Sequence, residues 1–161
     1  MFRVGIIGPE SCGKSTLGRY LAQRYGARYV PEYGRTYMEE RLAHGLTPDS
    51  YTYEDVCAIA RHQIEEIAQT EGDVIVFDTE LIVTRVWFIH RYGHSPEWLD
   101  QALRHYPMDV YLLCAPDVPW KADPTRENPD IRKQLFDWYE REIQALDIPY
   151  YIITHTDGDI H

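Results

Sequence analysis

Positive charge is scarce in this 161-residue chain, where 16 lysines and arginines face 26 aspartates and glutamates for a formal net charge of -10 at pH 7. A surface that tracks DNA or RNA phosphates needs clustered Lys and Arg, so nucleic acid is not an expected partner. Cysteine is scarce too. Cys12, Cys57 and Cys114 lie far apart with no C-x-x-C spacing, which fits reduced thiols in a cytosol. No apolar run approaches membrane-spanning length, and the first residues lack a basic n-region and cleavage site. The chain therefore reads as soluble and cytoplasmic, with no membrane partner. Repeats, low-complexity tracts and linkers are missing as well, so the length predicts one domain over 1–161 with a core of its own.

What the chain does have stands near its start. Gly8-Pro9-Glu10-Ser11-Cys12-Gly13-Lys14-Ser15-Thr16 fits G-x-x-x-x-G-K-[ST] without a mismatch, directly after Phe2-Arg3-Val4-Gly5-Ile6-Ile7, a run that reads as a buried strand. A loop between strand and helix turns successive backbone N–H groups inward, and the new helix adds its positive N-terminal end to the same cavity. Residues 8 and 10–16 are thus expected to hold nucleoside triphosphate phosphates. Lys14 reaches the terminal phosphates, and the Ser15 hydroxyl is placed to ligate a bridging magnesium, with Thr16 the poorer metal ligand. The competing reading is a glycine-rich turn with a chance lysine. The loop predicts ATP or GTP binding; it does not name the reaction.

Taken in order, the chain alternates helix and strand. Leu17, Tyr20, Leu21 and Tyr25 predict a helix from Lys14 to Tyr25 with Gly26 as its stop. Arg28-Tyr29-Val30 is a short strand broken by Pro31, and the turn delivers Glu32, Tyr33 and Arg35 where parallel sheets place their ligands. Glu32 is a candidate to take a substrate hydroxyl proton; the alternative is a cap on a helix starting near Gly34. A helix is expected over 36–46. After a break at Gly45–Asp49, Thr52-Tyr53-Glu54-Asp55 reads as a capping arrangement for a long helix. Val56, Ile59, Ala60, Ile64, Ile67 and Ala68 form its apolar face. His62 and Gln63 could face a ligand there, but core or surface placement is the favoured reading for such isolated polar residues.

Asp73-Val74-Ile75-Val76-Phe77-Asp78 is a strand ending in an acid, the second nucleotide-binding signature expected beside such a loop, and Asp78 is a candidate magnesium holder opposite Ser15. Glu80 is read either as facing the site or as a solvated helix-start acid. A helix follows over about 80–92, packing through Leu81, Ile82, Val86 and Phe88. His90 and His94 are four apart, but Gly93 intervenes and no third ligand is evident, so zinc is not expected. Ser95-Pro96-Glu97 predicts a helix to about His105, with the Ser95 hydroxyl as its cap. Val110–Cys114 is the fourth strand. The polar, proline-punctuated stretch 117–133 reads as a lid carrying Arg126 and Arg132 toward the phosphates; alternatively these pair with Asp123, Glu127 and Asp130 on a solvated surface. A helix to about Leu146 and a fifth strand, Tyr150–Ile153, close the pattern, which implies a three-layer α/β domain with a parallel sheet and helices on both faces.

These residues resemble a known family: the ribosylnicotinamide kinase domain of the bacterial NadR-type proteins and the related nicotinamide riboside kinases, within the P-loop kinases. The resemblance spans nearly the whole chain. It rests on the loop at 8–16, on Val30-Pro31-Glu32-Tyr33-Gly34-Arg35, on Phe77-Asp78-Thr79-Glu80 with Thr84 and Trp87, and on Leu112-Leu113-Cys114 through Asp117, Pro119-Trp120, Asp123 and Arg126. It implies a sheet order of 2-3-1-4-5 and transfer of the ATP γ-phosphoryl group to the 5′-hydroxyl of nicotinamide riboside, a step of NAD salvage. A cationic pyridinium nucleoside suits an acidic, aromatic pocket from Glu32, Tyr33, Trp87 and Trp120, with Asp123 on the ribose or the lid and Arg35 nearby; ordinary core packing is the alternative for each tryptophan. In that picture Lys14 holds the triphosphate, Ser15 and Asp78 hold Mg2+, Glu32 orients or deprotonates the hydroxyl, and Arg126 clamps the phosphates.

Two departures from the family's pattern stand in the chain. Pro124-Thr125 replaces an expected glycine-containing lid turn, and Thr154-His155-Thr156-Asp157 replaces a glycine turn on the adenine side. Relatives carry a final helix after this strand, so the expectation is either an incomplete adenine side or a sequence that is a piece of a longer protein, and no adenylyltransferase or DNA-binding segment is expected before Met1. Two rival functions use the same loop: a kinase of another nucleoside or nucleotide, and a regulatory ATPase with no small-molecule acceptor.

Overall fold

The computed structural model describes residues 1–9, 13–116 and 131–154. The order is β1 (Phe2–Ile7), α1 (Lys14–Tyr25), β2 (Arg28–Val30), α2 (Tyr33–Ala43), α3 (Tyr53–Gln69), β3 (Val74–Asp78), α4 (Leu81–Tyr92), α5 (Glu97–His105), β4 (Val110–Cys114), α6 (Arg132–Leu146) and β5 (Tyr150–Ile153). The strands form one sheet, β2-β3-β1-β4-β5, and every pairing is parallel. The order expected from the resemblance is the order observed.

Alternation along the strands divides the core, since successive side chains leave a strand on opposite faces. Ile7, Ile75, Phe77, Tyr111 and Leu113 point to one face and pack with α3, α4, α5 and α6 residues such as Val56, Phe88, Leu99 and Ile143. Val4, Ile6, Val76 and Cys114 point to the other and pack with Leu17 of α1. Arg85 ties the helices of the larger face together. Its Nε donates to Asp100 of α5 at 2.9 Å and its Nη1 to Glu142 of α6 at 2.5 Å.

Three local expectations are corrected. The second helix starts at Tyr33 and ends at Ala43 instead of spanning 36–46. Glu32, held extended after Pro31, is its N-cap, so the turn expected to carry Tyr33 and Arg35 is already the helix's first turn. His44 closes the other end, its backbone N–H bonding Glu40 O and Arg41 O at 3.1 Å. Ser95 does not cap α5. Pro96, with an extended ψ of 142°, is the N-cap, and the Ser95 hydroxyl donates instead to Asp100 at 2.7 Å. Glu80 is neither solvated nor part of the cavity wall. It is 1% exposed beneath α4, as that helix's N-cap. The Thr52–Asp55 capping box on α3 forms as expected.

Candidate active site

Every βα junction of a parallel sheet opens at the carboxyl ends of the strands, and the loop leaving β1 does so here. Gly13 caps α1 at φ 87°, a left-handed conformation that glycine adopts without a Cβ penalty. The chain can then swing straight from loop to helix. Lys14 follows, 8% exposed, and folds back so that Nζ donates to Gly8 O at 2.9 Å and Pro9 O at 3.2 Å. Its ammonium thus sits against the carbonyls that open the loop. Gly8 follows β1 into the loop and Gly13, Lys14, Ser15 and Thr16 lead into α1; Glu10, Ser11 and Cys12 lie outside the described residues.

Two strands away in sequence but adjacent in the sheet, β3 ends on Asp78, paired in register with Ile6. This carboxylate is 1% exposed and accepts three hydroxyl donors. Oδ2 takes Ser15 Oγ at 2.8 Å and Tyr29 Oη at 2.7 Å, while Oδ1 takes Thr79 Oγ1 at 3.3 Å. Burial and the Asp78 carboxylate push the Tyr29 phenol well above its ordinary pKa, so it stays a donor at any physiological pH. Sequence reasoning gave Tyr29 no role beyond the strand. The signal lay in Gly18, where a Cβ would stand 2.6 Å from Tyr29 Cε1, so a side chain there would displace the ring. Thr79 takes a left-handed φ of 64°, uncommon for a β-branched residue, where the backbone turns from Asp78 into the α4 cap.

The residues fit a magnesium ion bound through phosphates. Ser15 spends its proton on Asp78, which leaves its oxygen lone pairs for a cation, and among the described residues the buried carboxylate is held by hydroxyls, not by a lysine or arginine. Among the described residues no group of three or more His, Cys, Asp or Glu forms a metal cage. Magnesium commonly keeps to one or two protein ligands beside phosphate oxygens and water, so a cage is not required.

A cavity of about 360 Å³ adjoins the loop. Gly8, Lys14 and Thr79 line its loop end, and α2, α3, α4 and α6 supply the walls. Helical spacing explains which side chains reach it. Gly34, Arg35 and Met38 share one face of α2 and line the cavity, whereas Tyr33 and Tyr37 share another. Tyr33 therefore turns from the cavity and stacks on His62 of α3 at 3.6 Å between centroids; Tyr37 donates to Asp55 at 2.6 Å. Glu32, at the N-cap without a side-chain capping bond, lines the cavity. On α4, Val83, Thr84, Trp87, His90 and Arg91 lie on one face, all toward the cavity.

Trp87 is fixed by a bond from Nε1 to Tyr51 Oη at 2.8 Å and an edge-on contact with that ring. Arg91 lies over the Tyr51 ring at 4.8 Å, and Arg35 pairs with Glu39 at 2.9 Å. Gln63, read from sequence as core or surface, is buried and also lines the cavity. Arg132 opens α6 and is buried. Trp120, Asp123, Arg126 and nearly all of the expected lid lie outside the described residues. No helix among the described residues is long and apolar enough to cross a membrane.

A phosphate loop after β1, a buried acid at the end of β3 and the 2-3-1-4-5 parallel sheet define a P-loop NTPase fold. Within that class, an AAA domain family model matches residues 3–160, and the chain belongs to this family. The trifunctional NAD biosynthesis/regulator protein NadR of Salmonella typhimurium is 29% identical over 124 residues, 76% of this chain and 30% of the relative. The chain thus spans less than a third of that relative's length. A crystal structure of a NadR protein in complex with NR matches with a TM-score of 0.73 at 22% identity, over 94% of this chain and 43% of that one. Deoxyadenosine kinase from M. mycoides, with the products dCMP and dCDP bound, matches with a TM-score of 0.68 at 13% identity, over 98% of this chain and 92% of that one. The resemblance to NadR-type proteins read from the motifs is borne out by these likenesses.

Proposed function

We propose that the chain is an ATP-dependent kinase that phosphorylates the 5′-hydroxyl of nicotinamide riboside to give nicotinamide mononucleotide. One observation carries the reading: Lys14, from the phosphate loop, and Glu32, from the β2–α2 junction, line the same cavity, whose volume suits a nucleoside-sized ligand. A nucleotide binder without an acceptor has no need of that second compartment.

In this mechanism the loop and Lys14 hold the triphosphate with its γ-phosphorus toward the cavity. Ser15 and Asp78 are the residues that would hold magnesium, which when bound neutralises charge on the β- and γ-phosphates. Glu32 orients the acceptor hydroxyl and takes its proton as the new oxygen–phosphorus bond forms; the bond from the γ-phosphorus to the β,γ-bridging oxygen breaks, and ADP leaves. Positioning and electrostatics supply most of the rate. The wall suits a cationic ring. Trp87 and Tyr139 offer aromatic faces, Glu32 and Asp49 carry negative charge, Lys14 stands at the phosphate end, and Arg35 and Arg91 are engaged with Glu39 and the Tyr51 ring.

The test is ADP release with ATP and Mg2+ across nicotinamide riboside, uridine, cytidine, deoxynucleosides and mononucleotides. The highest kcat/KM is expected for nicotinamide riboside. The likeness to deoxyadenosine kinase, which extends over 92% of that chain, favours as second reading a kinase of another nucleoside, and the same panel would reveal it. ADP release that no acceptor stimulates would leave a regulatory ATPase.

A further inference from the structure

We propose that Gln63 and Thr84 form a fixed reader for a carbonyl oxygen on the acceptor's ring, the carboxamide oxygen of a pyridine nucleoside; this rests on the kinase reading above. Gln63 is 6% exposed and Thr84 2%, and both line the cavity. Burying a carboxamide is costly unless its polar atoms are bonded, and the residue one turn earlier on the same face of α3, Ile59, is apolar and also lines the cavity. Packing alone would be served by a leucine or methionine at 63.

The orientation is set by one bond. Thr84 Oγ1 donates to Gln63 Oε1 at 2.6 Å, which occupies the acceptor end of the carboxamide and leaves the Nε2 amino group as the free end. Among the described residues Nε2 donates to nothing, yet it is not one of the sealed, unbonded polar atoms of the interior. Its open side is the cavity. A pair of N–H donors presented from an otherwise apolar stretch of wall, between Ile59, Val86 and Trp87, selects a ligand that brings an acceptor oxygen. Thr84 itself stands on α4 one turn before Trp87, so the amide it clamps and the indole belong to the same stretch of wall.

The experiment compares nicotinamide riboside with the riboside of unsubstituted pyridinium, which keeps the charge, ring and ribose but lacks the carbonyl. Three proteins are used: wild type, Gln63→Met and Thr84→Val. Wild type is expected to prefer nicotinamide riboside by roughly tenfold or more in kcat/KM, as a site with buried donors rejects a ligand that leaves them unpaired. Gln63→Met should abolish most of that preference through KM, with ATP binding unchanged, and Thr84→Val should reduce it by a smaller factor as the amide loses its clamp. A variant that loses activity equally on both ribosides would reduce Gln63 to a structural residue and overturn the proposal. So would a wild type indifferent to the carbonyl while phosphorylating both ribosides, which leaves the kinase reading intact. Wild type that phosphorylates neither would overturn both.

Discussion

Ser15 Oγ donates to Asp78 Oδ2 at 2.8 Å across 63 residues of sequence, and Tyr29 Oη donates to the same oxygen at 2.7 Å. The loop and the strand-end acid are thus joined by a third residue, from β2, whose ring packs against Gly18 of α1. A hydrogen bond to a charged group contributes about 1.5–3 kcal/mol. Tyr29→Phe keeps the ring and the Gly18 contact but removes that donor. It is expected to lower stability by about 1–2 kcal/mol, less than the full bond because the phenol is only half-buried. It should also raise the magnesium concentration needed for ATP binding, since Asp78 is held less firmly. Thermal unfolding and a magnesium titration of nucleotide binding measure the two effects separately.

Glu32 lines the cavity from the N-cap of α2, and in the proposed mechanism its carboxylate takes the proton of the acceptor hydroxyl. Glu32→Gln preserves size and removes the charge. A positioned general base contributes about 10²–10⁴-fold, so kcat is expected to fall by that range while ATP affinity holds. Lys14→Ala should instead abolish nucleotide binding in a folded protein. Unchanged turnover in Glu32→Gln would move the base role to Asp78 or remove it.

Much of this site was legible because its parts carry their chemistry in a short span. The loop names itself, and a strand ending in Asp78 gains meaning once the loop is known. The sheet order came with the family resemblance and was not readable from periodicity. What was missed depends on helix phase. A start at Tyr33 and not near 36 rotates Tyr33 onto His62 and brings Arg35 and Met38 to the cavity, and propensity fixes helix ends to only a few residues. Tyr29 was passed over, and a ligand-facing Gln63 was ranked below core or surface placement, for a related reason. Neither belongs to a motif that names its partner, and only tertiary placement shows that one meets Asp78 and the other Thr84.

Glu80 supplies a pH dependence of stability. Its carboxyl accepts from the Ile82 N–H at 2.8 Å, but burial outweighs that bond and raises its pKa from 4.5 to about 7. Between those values the folded chain holds a proton that the unfolded chain has lost, so folding is favoured at low pH and the advantage drains away as pH rises through about 7. Glu80→Gln stays neutral throughout. The stability of wild type relative to this variant should therefore fall from pH 5 to pH 8, by about 2–3 kcal/mol at about 1.4 kcal/mol per pKa unit. Denaturant melts of both proteins at the two pH values, without nucleotide or magnesium, give the difference; parallel curves would show that Glu80 ionises normally.

Trp87 gives the acceptor site an optical reporter. Of the chain's 4 tryptophans, Trp98 lies under Arg61 at 5.1 Å and Trp138 bonds Glu142 at 3.3 Å, and neither lines the cavity that Trp87 does. A pyridinium resting on an indole face is held by cation–π attraction and withdraws electron density from the excited ring, so it quenches emission. Adding nicotinamide riboside is expected to quench wild type and Trp98→Phe alike, while Trp87→Phe loses most of the response. Because Trp87 Nε1 is bonded to Tyr51 Oη, Tyr51→Phe should free the indole and weaken both the quench and the affinity by a factor of about 2–10, the worth of one neutral hydrogen bond. A full quench retained in Trp87→Phe but lost in Trp120→Phe would assign the ring contact to Trp120, and one retained in both variants would move the acceptor site away from α4.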